Sequence, residues 1–338
     1  MSTDAALDDE LSRPPPGLIE AFRRLDGDVL VLGAGGKMGP TLVALAIRAA
    51  AESRVSRRVT AVARFSDPAA RAVVEAAGAR TIAADLVDPD LVAGLPFVPN
   101  VIFMVGQKFG TTGDPGRTWA VNALVPGLVA HRYREARIVV FSTGNVYPWW
   151  PVDGPGPAED DAVAPVGEYG YSALARERLF AHAAAHYGTR VAILRLNYAV
   201  EPRYGVLRDI ADRVRAGTPI DLTTGWVNVI WQRDANAIAL RSLEHAAAPP
   251  LLLNLTGRPA ARVRDIALGF GRRWGIEPVF QGTEAATALI SNAARSEAMF
   301  GGLPISLEEM IERVARWIEG GGRSLAKPTH FDQRDGRF

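Results

Sequence analysis

Val29-Leu30-Val31-Leu32-Gly33-Ala34-Gly35-Gly36-Lys37-Met38-Gly39-Pro40-Thr41-Leu42 is an apolar run that breaks into glycines and resumes with helix-forming residues. Its first four residues are apolar without polar alternation, the pattern of a strand covered on both faces. Gly33, Gly36 and Gly39 have the spacing in which the first makes a tight turn and the second admits a pyrophosphate close to the backbone. The third lets the following helix lie against the strand. Unpaired N–H groups and the positive end of the helix dipole would face the anion, so no charged side chain is required. The stretch therefore predicts a strand, a phosphate turn made by Gly33, Gly35, Gly36, Lys37, Met38 and Gly39, and a helix. A glycine trio alone also closes ordinary hairpins, so the rest of the chain decides the reading.

Outward from this turn, apolar strands and amphipathic helices alternate. Strands are expected at 28–32, 59–63, 81–84, 101–105, 137–142 and 191–196, and helices at 39–51, 68–77, 118–133 and 168–187. This βαβ rhythm predicts an α/β fold, a Rossmann-type doubly wound parallel sheet with its ligand crevice at the strand C-termini. Beyond Asn197 the elements shorten, predicting a smaller mixed C-terminal substrate lobe over the crevice, some of whose elements return to the sheet. The expected organisation is a loose tail and short helix over 1–27, a dinucleotide-binding domain over 28–200, the lobe over 201–320, and a polar tail over 321–338. That tail reads as solvated or as an oligomer contact. Residues 147–165, rich in proline and glycine, form a loop long enough to be functional.

Among 338 residues, 48% are apolar and 22% charged, the balance of a soluble globular protein. Basic and acidic residues number 38 and 37, a net charge of +1, which argues against nucleic acid as a partner. Cysteine is absent, which removes disulfides and thiolate chemistry. No window approaches the roughly 20 apolar residues of a membrane span. The acidic first residues lack the basic flank and apolar core of a signal peptide. A cytoplasmic protein without membrane contact is expected. His182 and His186 lack the intervening glutamate of a metalloprotease pair, so no metal is expected.

Six motifs then occur in a telling order: the glycine turn, Asp85-Leu86, Asn122 within Trp-Ala-Val-Asn-Ala, Ser142-Thr143-Gly-Asn-Val-Tyr147, Pro165-Val-Gly-Glu-Tyr169-Gly-Tyr-Ser, and Leu194-Arg195-Leu-Asn197. Carrying them, the chain from about Asp28 to Glu319 resembles the extended short-chain dehydrogenase/reductases of the NAD-dependent epimerase/dehydratase branch. The resemblance implies hydride transfer on a carbohydrate-derived alcohol or ketone, such as a sugar, sugar lactone, sugar acid or nucleotide-sugar. It implies that Tyr169 moves the hydroxyl proton, Thr143 holds the same oxygen, Asn122 supports its helix, and Asp85, Leu86 and Val105 line the dinucleotide. It also implies a homodimer through the tyrosine helix and the long helix before it. The glycine turn is similar to that of dihydrodipicolinate reductase as well, but the other signatures of that family are absent.

One position departs from the pattern. The family's lysine four residues after the tyrosine is replaced by Ala173. Arg176 lies on the same helical face, about 10 Å along the axis at 1.5 Å per residue, and reads as a surface or sheet-edge arginine. Lys108, in the loop after the fourth strand, is the better candidate to replace the lysine or to contact substrate. The alternative is a catalytically lapsed dinucleotide-binding sensor or interaction protein. Ala63 stands where NAD-preferring relatives carry an acid, Arg64 suits a 2′-phosphate, and Lys37 adds a second cation, so NADP is expected in preference to NAD. Asn145, Asn197, Arg203, Tyr204 and Trp231 are the expected substrate contacts. Trp149, Trp150 and Trp226 are further rings that suit a pyranose face. Asn228 stands where nucleotide-sugar enzymes of the family carry an arginine for the diphosphate.

Overall fold

A computed structural model describes residues 3–327 and 329–337. Seven strands, β1 (Val29–Leu32), β2 (Val59–Ala63), β3 (Arg80–Ala83), β4 (Asn100–Phe103), β5 (Arg137–Thr143), β6 (Arg190–Leu196) and β7 (Leu251–Leu255), form one parallel sheet. Their order is β7-β6-β5-β4-β1-β2-β3. The order reverses between β1 and β4, and the crevice opens at that switch point. Every residue of β1 is buried, as its unbroken apolar run requires. Val29 and Val31 face one helical layer with Leu42 and Val43, while Leu30 and Leu32 face the other with Phe103 and Phe180.

Two glycines make the turn after β1 sterically possible. Gly33 has φ +88°, and a Cβ there would lie 2.8 Å from the Val105 backbone nitrogen. A Cβ on Gly39 would come within 2.2 Å of the Ala34 carbonyl oxygen, so only glycine lets the Gly39–Ser53 helix pack this closely.

The helix expected over 118–133 is a Pro115–Trp119 helix, a wide π-helical turn over Ala120–Leu124, and a Val125–Arg132 helix. Pro126 has no N–H to give the carbonyl four residues back, which loosens the ladder at Asn122. Helix Gly167–Tyr187 carries Tyr169 and packs beside it.

Described residues near both ends are more firmly packed than the loose N-terminal tail and the solvated C-terminal one expected from sequence. Asp4–Leu11 is a helix capped by Thr3, with Leu7 and Leu11 buried in the core of the C-terminal lobe. Near the other end Phe331 is buried in the same core, and Asp332 pairs with Arg213 at 2.7 Å. Arg334 donates to the carbonyls of Thr223 and Thr287 and lies 3.8 Å over the Trp149 ring. Apolar anchors, Leu7 and Leu11 four residues apart in one segment and Phe331 alone in the other, act with these paired charges to hold the described residues of both segments. Among the described residues no helix is long and apolar enough to cross a membrane.

Candidate active site

The crevice consists of two adjoining cavities, of about 400 Å³ and 900 Å³, that share the glycine turn, Arg64 and the loop after β4. The outer one is walled by the ends of β2 and β3, including Arg64, Asp67, Asp85 and Leu86. Arg117 lies 3.7 Å from the Asp85 carboxylate. Gly35 and Gly36 are exposed on the crevice wall, and no side chain caps the N-terminus of the Gly39–Ser53 helix behind them. Bare glycine backbone, an uncapped helix start and an acid at the end of β3 suit a dinucleotide.

The inner cavity is lined by Thr143, Asn145, Tyr169, Asn197, Tyr204, Val105 and Lys108. Ser142 donates to buried Glu177 at 2.5 Å, and that carboxylate also pairs with Arg195 at 2.8 Å. Both residues line the cavity, but the Ser142 hydroxyl is engaged by Glu177, whereas that of Thr143 bonds Asn145, itself a cavity residue, at 3.0 Å. Asn122 is fully buried. Its amide donates to the Gln107 carbonyl and to Ser172, and its oxygen accepts from Gln107 N–H, so it pins the loop after β4 to the tyrosine helix.

Arg176 is the main correction at the site. It is not a surface residue: it is 4% exposed and lines the inner cavity. Its guanidinium donates to the Phe141 carbonyl at 2.8 Å and to the Asn122 side-chain oxygen at 2.7 Å. Burial lowers its pKa from the ordinary arginine value, and neighbouring Tyr169 opposes that shift. Side chains on a helix lean toward its N-terminus, so a long residue two turns after Tyr169 reaches back toward it. Axial distance between backbone positions hid this; the lean of the side chain was the signal available in the sequence.

Lys108 is half-buried, its amine 6.0 Å from the Tyr169 ring centre and donating to the Thr329 carbonyl at 3.4 Å. Burial brings its pKa down to about 8. The Lys37 amine sits 3.4 Å over the Tyr204 ring, and burial, then Lys327 and Lys108, bring it down to about 7. Lys37 thus lines the inner cavity, which Arg64 shares, and not the outer one that Asp67 and Asp85 wall.

Two expected substrate residues lie elsewhere. Arg203 is buried, bonding Glu201 at 3.0 Å and Asp8 at 2.8 Å, and so ties the N-terminal helix to the lobe. Trp231 is fully buried in the lobe core beneath Arg313. Trp149 and Trp226 are likewise stacked by Arg334 and Arg262. Asn228 is structural, bonding the Gly257 carbonyl and Ser291 N–H. His182 and His186 stack on an exposed helix face, and the described residues contain no group of three or more candidate metal ligands.

A Rossmann crevice with a glycine turn, a threonine at the end of β5 and a tyrosine on the next helix defines an extended short-chain dehydrogenase/reductase. The profile of the NAD-dependent epimerase/dehydratase family matches residues 29–251, and the chain belongs to that family, as an NAD-dependent enzyme of the epimerase type. No curated protein matches the sequence. Among solved structures, UDP-glucuronic acid 4-epimerase of Bacillus cereus, in complex with UDP-glucuronic acid and NAD, is 16% identical. It covers 86% of this chain and 99% of its own, with a TM-score of 0.71. WbmG of Bordetella bronchiseptica, in complex with NAD and UDP, is 20% identical over 90% and 99%, at 0.72. The UDP-glucose 4-epimerase of Thermus thermophilus, in complex with NAD, is 18% identical over 87% and 99%, at 0.71. At these identities the likeness shows the fold.

Proposed function

We propose that this protein transfers a hydride to and from a carbohydrate-derived alcohol or ketone, with Tyr169 moving the proton and Thr143 holding the reacting oxygen. The observation that carries the reading is the convergence of Thr143, Tyr169 and Arg176 on one cavity, with Asn122 buried behind Arg176. A nicotinamide ring, when bound, would supply the hydride acceptor. Tyr169 takes the hydroxyl proton in the oxidation direction and returns it in the other. Arg176, fixed by Asn122 and the Phe141 carbonyl, supplies beside Tyr169 the positive charge that the family's lysine gives. This supports a working enzyme over a lapsed one.

The glycine turn, Met38, Asp85, Leu86 and Val105 hold the dinucleotide, and Arg64 favours NADP over NAD. The UDP-sugar complexes of similarly folded proteins support a sugar-based substrate here. A homodimer through the 115–132 and 167–187 helices is supported by Trp119, Leu124, Tyr171 and Tyr187, large side chains left exposed there.

Denaturing fresh protein and weighing any released dinucleotide tests the cofactor. Turnover on a panel of nucleotide-sugars, sugar acids and lactones tests the chemistry. Tyr169→Phe is expected to lower turnover by about 10²–10⁴-fold with dinucleotide affinity kept. Turnover that survives this change would remove Tyr169 from the mechanism.

A further inference from the structure

Residues of the C-terminal segment, Ala326, Lys327, Thr329 and His330 among them, line the inner cavity. The segment is held on both sides of His330. Before it, Thr329 gives its N–H and its hydroxyl to the Asp209 carboxylate at 2.7 and 2.6 Å. After it, Phe331 is buried in the lobe core and Asp332 pairs with Arg213 at 2.7 Å. Further on, Arg334 ties the segment to the carbonyls of Thr223 and Thr287 and to the Trp149 ring.

Between these anchors the His330 backbone is bent into the left-handed region, with φ +52°. That conformation is uncommon for a residue with a side chain and persists where flanking contacts impose it. The half-buried ring rests against Phe109, with centroids 5.7 Å apart and planes tilted by 53°. Phe109 lines both cavities, so His330 stands where the two adjoin. No described residue hydrogen-bonds either nitrogen of the His330 ring. A neutral imidazole has one donor and one acceptor to satisfy, and a hydroxyl group offers both in return. Asn145, Asn197 and Tyr204 line the same cavity with groups that also suit hydroxyls.

We propose that His330 is a specificity-determining residue: the clasped C-terminal segment presents its imidazole to the inner cavity, where it hydrogen-bonds a hydroxyl of the substrate. This rests on the reading of that cavity as the substrate site. A sugar is then held at two points, by Thr143 and Tyr169 at the reacting oxygen and by His330 at another hydroxyl. Two points of attachment fix its orientation. The segment expected to be a solvated tail becomes a wall of the site.

The test is NMR of NADH-loaded protein containing ring-labelled histidine. The chain has five histidines, and the signal lost in His330→Leu is that of His330. D-glucose, D-glucuronate and UDP-glucose are titrated in turn, and the His330 signal is expected to move with at least one of them. His330→Leu keeps an apolar contact with Phe109 but no ring nitrogen. It is expected to bind that compound about tenfold more weakly, and His330→Gln to recover most of the loss, with NADH affinity within about twofold in both. A His330 signal that stays still with all three compounds overturns the inference. So does a His330→Leu protein that binds as the wild type does, a His330→Gln protein that recovers nothing, or a loss that falls on NADH. Turnover of a compound that leaves the signal still overturns this inference and spares the proposed reaction; a moving signal without turnover does the reverse. Failure of the wild type to bind NADH overturns the dinucleotide reading, and the same titration of the cofactor-free protein then decides His330.

Discussion

The two ends of the crevice are built in opposite ways. The outer end comes mostly from short stretches at the ends of four neighbouring strands, within residues 33–36, 63–67, 84–87 and 104–107, closed by Arg117, Val121 and Val125. The inner end is assembled from the loop after β4, the end of β5, the tyrosine helix, the segment after β6, and the C-terminal residues. Backbone N–H groups do the recognising at a phosphate turn, so that end needs little beyond its own glycines. A reaction centre needs charges at fixed points, and these arrive from wherever the fold brings a side chain. On the proposed reading, a loss at one inner position, such as Ala173, is met by Arg176 from the next turn, whereas a change in the glycine turn has no remote substitute.

This contrast is open to direct attack. The largest effect is expected where the inner wall is anchored. Arg203→Ala leaves the buried Glu201 carboxylate without its partner and frees the N-terminal helix, at a cost of about 3–5 kcal/mol read from denaturant unfolding. A loss below about 1 kcal/mol would show that the clasp is ornamental. At the reaction centre itself, Arg176→Met should cut kcat by about 10²-fold with the dinucleotide affinity unchanged, and Arg176→Lys should restore part of it. Equal activity in Arg176→Met would return the search for the missing cation to Lys108. The smallest effect belongs to the outer end, where Arg64 is exposed. Arg64→Ala should weaken NADPH by about tenfold or less relative to NADH, and an equal loss for both cofactors would end its phosphate role.

What could be read from sequence followed the same division. The β1 turn, the positions of six of the seven sheet strands and the tyrosine helix are carried by patterns within a dozen neighbouring residues. They emerge with boundaries shifted by only one or two residues. The π-helical turn at Asn122 was read as plain helix because its cause, Pro126, also suits an ordinary helix kink. The two arginines exchanged places: Arg176, read as peripheral, is buried at the centre, and Arg203, read as a substrate contact, is a structural clasp. Trp231 went the same way, since a tryptophan in a short strand looks alike whether it faces a ligand or a core.

By itself, then, the sequence determined the parallel sheet, the phosphate turn, the tyrosine and threonine of the site, and the family, because periodicity and turn chemistry act between near neighbours. Only the tertiary structure decided which cations line the inner cavity, and that described residues near both ends pack on the C-terminal lobe. Those outcomes depend on the direction of long side chains and on contacts between residues up to about two hundred or more positions apart, such as Arg203 with Asp8 and Lys108 with Thr329. Local pattern carries no trace of such distances, and the energy of a buried charge is set by whichever partner the fold delivers.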